Sequence, residues 1–162
     1  MFELQDTRSL PKPELYASLI DQATGLFAGE RDAIANAANL SALIFHGLPD
    51  LNWAGFYLYK QGELVLGPFQ GKPACIRIAL GRGVCGTAAA TRETQLVRDV
   101  HEFPGHIACD AASSSEIVVP LVAGERLIGV LDLDSPRIAR FDADDRAGLE
   151  HLAALWVAAS EV

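Results

Sequence analysis

The sequence predicts an α+β fold, a central antiparallel sheet with the N- and C-terminal helices on one face and a ligand pocket on the other. Three observations predict it. Apolar residues recur at helical spacing near both ends of the chain. Between them, short aromatic or β-branched runs alternate with turn residues, the pattern of hairpins. One Ala-rich helical stretch and one polar loop interrupt these runs, and hairpin-rich sheets of this kind group their helices on one side.

Pro13 to Phe27 reads PELYASLIDQATGLF, with Leu15, Leu19, Ile20, Ala23 and Phe27 at helical spacing behind a helix-opening proline. Gly29 interrupts this helix, Asp32 opens a second one, and Gly47 and Pro49 close it. WAGFYLY from Trp53 is a strand, Lys60, Gln61 and Gly62 form a turn, and ELVLG is the return strand. ACIRIAL is a third strand, followed by GRGVCG, the short helix TAAATRE and the strand-like TQLVRDV. His101 to Ser114 is a polar loop. SEIVVPLVA and RLIGVLDLDS are two long strands joined at Gly124 and Glu125, and Phe141 starts a closing helix that buries Leu149, Leu152, Ala153 and Trp156.

Composition excludes several classes of function. A length of 162 residues with half of them apolar suits one self-sufficient core. The net charge of -8, without a Lys/Arg cluster, argues against nucleic acid. No apolar run approaches the roughly 20 residues of a membrane helix, and the opening MFELQDTRSLPKP lacks a signal peptide's basic and apolar regions. A cytoplasmic protein is expected. Its three cysteines are a poor disulfide framework and match no zinc-knuckle spacing, so their thiol chemistry becomes the question.

Redox chemistry at a thiol requires a nucleophilic sulfur, nearby proton donors, and a second thiol that closes a disulfide. Cys109 lies in GHIACD, where the charge of His106 favours a thiolate and Asp110 opposes it. Cys85 lies in GVCGTAAA, at a predicted helix N-terminus that lowers a thiol pKa, so a local reading favours Cys85. Cys75 heads the strand after GKPA, facing either core or pocket according to register. Asp132 and Asp134 stand two apart on a strand and share a face, and a hairpin around Gly124 brings Glu116 near them, raising their pKa values by like-charge repulsion. The same aspartates also suit a strand end before Ser135 and Pro136. Trp53, Gly55 and Tyr57 share one face of the first strand, an aromatic wall for a thioether or for the core.

Taken together, NWAGFYLY, GPFQGKPACIRI, GRGVCGTAA, DVHEFPGHIACDAASSSEIVVPL and IGVLDLDSP resemble the free methionine-(R)-sulfoxide reductases, a catalytic branch of the GAF-domain family. The resemblance implies a single GAF-like catalytic domain over residues 1–162. It implies Cys109 as nucleophile, Cys75 as resolving cysteine and Cys85 as an accessory thiol, against the local preference for Cys85. It further implies that Glu116, Asp132 and Asp134 hold the substrate's ammonium group and sulfoxide oxygen, with Trp53 and Tyr57 on the methyl side. The implied cycle passes through a sulfenic acid and an intramolecular disulfide, with thioredoxin as reductant, no prosthetic group or metal, and an assembly compatible with a homodimer.

Two other functions compete. A non-catalytic GAF small-molecule or redox sensor would use the same pocket, but sensors pass a signal to an output domain or long helix, and this sequence ends at Glu161 and Val162. A peptide-methionine sulfoxide reductase would need to admit a chain-embedded substrate, which an enclosed carboxylate-rich pocket excludes.

Overall fold

The computed structural model describes residues 1–162. Helix α1 (Lys12–Phe27) follows Pro11 and carries Pro13 in its first turn, where the missing N–H costs no hydrogen bond. Asp32 caps α2 (Ala33–Gly47) by accepting the Ala35 N–H at 2.8 Å. The closing helix α4 (Ala143–Ala159) begins two residues later than Phe141. Asp142 and Asp145 form a reciprocal capping box there and leave Phe141 buried ahead of the helix.

Six strands, β1 (Trp53–Lys60), β2 (Glu63–Gly71), β3 (Arg77–Ala79), β4 (Gln95–Val97), β5 (Ser115–Ala123) and β6 (Arg126–Ser135), form one sheet in the order β3-β2-β1-β6-β5-β4. Every neighbouring pair is antiparallel. Gln61 and Gly62 both have positive φ, 53° and 89°, the turn whose twist matches a hairpin. The β5 and β6 ranges coincide with those expected from the sequence.

Alternation along the strands builds two cores. Phe56, Ile117, Val119, Leu131 and Leu133 face α1, α2 and α4, and Trp156 packs 5.0 Å from Phe56 between ring centres. Beneath this layer, Asp145 accepts hydrogen bonds from Tyr16, Lys12 and Arg140, joining α1 to α4 through a fully buried carboxylate. The terminal helices therefore do share one face.

The opposite face departs from expectation in three places. Helix α3 (Gly83–Thr91) starts one turn earlier than TAAATRE and packs Val84, Cys85 and Ala88 against Trp53, Tyr57, Val118 and Val130. The pocket therefore occupies only the part of this face beyond α3. Strand β3 is confined to Arg77–Ala79 instead of running from Ala74 to Leu80, because Trp53 Nε1 donates to the Lys72 carbonyl and Tyr57 OH to the Cys75 carbonyl, drawing this segment out of the ladder. Strand β4 likewise stops at Val97. Asp99 accepts the His101 N–H and starts a 3-10 turn over Val100–Glu102.

Candidate active site

Three carboxylates converge on the pocket face through sheet register. Glu116 stands opposite Asp134 in the β5–β6 ladder, while Asp132 is paired with Val118 on one side and Gly55 on the other. Trp53, opposite Asp134, stacks on Tyr57 at 5.8 Å. Gly55 between them gives room for the next strand, since a Cβ there would lie 2.3 Å from that of Phe69. All eight residues singled out in the sequence except Cys75 line one cleft, and Cys75 reaches its rim through a bond to Cys109.

Cys75 and Cys109 form a disulfide, with Cα atoms 5.5 Å apart. Both residues are half-buried. Cys75 precedes β3 rather than heading it, which removes the register question. Asn52 Nδ2 donates to Asp110 and to Ser113, both at 3.1 Å, and anchors the loop carrying Cys109 to the start of β1. Asp110 also accepts the Ala112 N–H, and this bond holds its carboxyl below the usual range. The two cysteine-bearing loops are thus fastened to the same strand, one through aromatic polar tips and one through Asn52.

The third thiol behaves differently from the local expectation. Cys85 lies in the first turn of α3, as its sequence predicted, yet burial pushes its pKa well up, reinforced by Asp132 and Glu116. Its sulfur donates to Glu116 Oε1 at 3.9 Å. A helix terminus contributes partial charge over one turn and does not offset two nearby carboxylates in a desolvated site. Cys85 is a neutral donor here, not a thiolate.

Burial also raises the pKa of Glu116, Asp132 and Asp134, followed in each case by repulsion from a neighbouring carboxylate. Such a cluster retains protons that exposed carboxyls release. One Asp132 oxygen, Oδ1, is buried without a hydrogen-bond partner, a vacancy that a ligand donor can satisfy. His106 Nε2 lies 3.6 Å from Glu116 Oε2, and burial lowers its pKa, favouring the neutral ring. Tyr57 is held protonated by burial and by Asp132.

Sequence reasoning missed Asn52, Ser113 and the tethering work of Trp53 and Tyr57. Asp110 followed two residues later by a bonded N–H is an Asx turn, a signal legible in CDAAS. The partners of Asn52 are about 60 residues away and leave no local mark.

A GAF domain model matches residues 35–159, so the chain is a member of the GAF-domain family. It is 57% identical to the free methionine-R-sulfoxide reductase of Escherichia coli over 143 residues, 88% of this chain and 87% of that protein. The free methionine-R-sulfoxide reductase of Neisseria meningitidis, solved in complex with its substrate, superposes with a TM-score of 0.93 at 45% identity, covering 98% and 95% of the two chains. A Burkholderia vietnamiensis protein described as a GAF sensor is 66% identical, with a TM-score of 0.90 over 93% of this chain and 96% of that one. Within the GAF fold, this chain belongs to the free methionine-R-sulfoxide reductase family.

Proposed function

We propose that this chain reduces free methionine-(R)-sulfoxide to methionine, with Cys109 as nucleophile and Cys75 as resolving thiol. The observation that carries this reading is the Cys75–Cys109 disulfide at the rim of a cleft lined by Glu116, Asp132 and Asp134. In the reduced enzyme, the Cys109 thiolate attacks the sulfoxide sulfur while a protonated carboxyl of the cluster donates to the oxygen. In the resulting adduct the protonated oxygen passes from the substrate sulfur to the Cys109 sulfur as the bond between the two sulfurs and the substrate S–O bond break, so that methionine leaves as the thioether and Cys109 is left as a sulfenic acid. The Cys75 thiol then condenses with it, releasing water and closing the disulfide.

The raised carboxyl pKa values supply the acid, and the same cluster in its ionised form attracts the substrate ammonium. Trp53 and Tyr57 line the methyl side, and Cys85 is an accessory proton donor to Glu116. An external dithiol, thioredoxin, resets the disulfide. The enzyme acts as a single catalytic domain in the cytoplasm, as a monomer or homodimer, and needs no prosthetic group; no helix is long and apolar enough to cross a membrane.

Turnover of separate R and S epimers, each free and within a peptide, tests the proposal. Activity is expected with the free R epimer alone. Equal activity on a peptidyl sulfoxide would contradict a site that reads the free ammonium group.

A further inference from the structure

Recycling requires an incoming thiolate to reach one of two sulfurs, and the two ends of the disulfide are not equivalent. Cys109 lines the cleft, whereas Cys75 stands outside that lining, in the segment before the edge strand β3. Beside it, Ile76 is 67% exposed, more than any other large apolar residue except Met1. Its backbone is fixed, because the Ile76 carbonyl accepts the Leu66 N–H at 2.9 Å. Ile107, two residues before Cys109, adds a second exposed apolar side chain at 39%.

A lone exposed isoleucine is ordinary, but apolar surface held rigidly beside the group that another molecule must attack has a specific use. The cleft floor is too deeply buried for a protein thiol, so a macromolecular reductant has to approach over this rim. At the mouth of the cleft, beside Ile107, Lys72 and Arg82 are exposed and make no salt bridge, and of the two Lys72 also acts on Asp110, so this part of the rim carries positive charge although the chain has a net charge of -8. This combination fits a protein dithiol with apolar and acidic surface around its reactive sulfur.

We propose that Ile76, supported by Ile107 and Lys72, is the docking surface for the protein dithiol that recycles the enzyme, and that it directs attack to the Cys75 sulfur. This inference rests on the thioredoxin-recycled disulfide proposed above. The partner's thiolate bonds to Cys75, the Cys75–Cys109 bond breaks, and Cys109 leaves as a thiolate and takes a proton. The partner's second thiol then attacks its own bonded sulfur and displaces Cys75, which is also protonated. Two electrons and two protons pass to the enzyme, and the partner is left as a disulfide.

The test compares Ile76→Glu and Ile76→Ala with the wild type in three assays: turnover with thioredoxin, turnover with dithiothreitol, and methionine released without reductant. Ile76→Glu is expected to lower kcat/KM for thioredoxin at least about tenfold, with Ile76→Ala intermediate, while both other assays stay unchanged. A thioredoxin variant lacking its second thiol should be trapped on Cys75, as mapped by mass spectrometry. Unaltered thioredoxin turnover in Ile76→Glu, an equal fall with dithiothreitol, or trapping on Cys109 would overturn the docking surface alone. A wild-type enzyme recycled by dithiothreitol but not by thioredoxin would overturn the protein-dithiol reading as well.

Discussion

The Cys85 sulfur lies 3.9 Å from a carboxylate oxygen of Glu116, in a buried setting that reverses the chemistry a helix N-terminus gives a thiol. Burial is the largest cause, and Asp132 and Glu116 add to it, so the thiol keeps its proton. Cys85→Ser, which preserves a donor to Glu116, is expected to be the mildest of the three cysteine substitutions, with methionine release lowered less than about tenfold. Iodoacetamide should label Cys85 slowly in the folded disulfide form and rapidly after denaturation. Fast labelling of the folded enzyme near neutral pH would restore the thiolate reading.

The carboxylate cluster should make the protein less stable as pH rises. A group whose folded pKa is raised holds protons that the unfolded chain has released, so stability falls between about pH 4, the ordinary carboxyl range, and the raised values. Asp132→Asn removes one member and should raise the melting temperature near neutral pH, each 1 kcal/mol moving it by about 2–4 °C. The gain should vanish near pH 4. Thermal unfolding of both proteins across this range checks the sign, and an Asn variant less stable than wild type at pH 8 would contradict it.

Activity should move the other way. Asp132→Asn and Asp134→Asn are each expected to lower turnover of free methionine-(R)-sulfoxide about tenfold or more, since each removes substrate charge recognition and a proton donor. Near-normal activity in both variants would return these residues to a strand-end role.

What the sequence made legible followed from periodicity and local chemistry. Strands β5 and β6 are apolar runs of nine and ten residues bounded by turn residues, long enough for their ends to be read correctly, and their pairing brings Glu116 to the aspartates. Helix caps at Asp32 and the buried stripe of α4 were equally plain. What remained hidden depended on distant partners. The shortening of β3 follows from hydrogen bonds made by Trp53 and Tyr57 about 18 residues away, and the state of Cys85 follows from its burial against the sheet and then from the carboxylates of Asp132 and Glu116 on β6 and β5. Local chemistry in the sequence favours Cys85, so the Cys109–Cys75 assignment rests on the family resemblance.

The Asp145 network gives a structural control. Asp145→Ala leaves Arg140 buried without its carboxylate and removes the partner of Tyr16 and Lys12, at a cost of about 3–5 kcal/mol. The melting temperature should fall by about 10 °C, while the folded fraction at low temperature retains methionine release per molecule. Unchanged stability would show that the buried pairing contributes nothing net.

The central claim, that Cys109 attacks the sulfoxide and Cys75 resolves it, is tested most directly by methionine released per reduced enzyme without added reductant. Cys109→Ser should release none, and Cys75→Ser should release about one per site yet recycle poorly with thioredoxin. A stoichiometric burst from Cys109→Ser, together with none from Cys85→Ser, would contradict the assignment and make Cys85 the nucleophile.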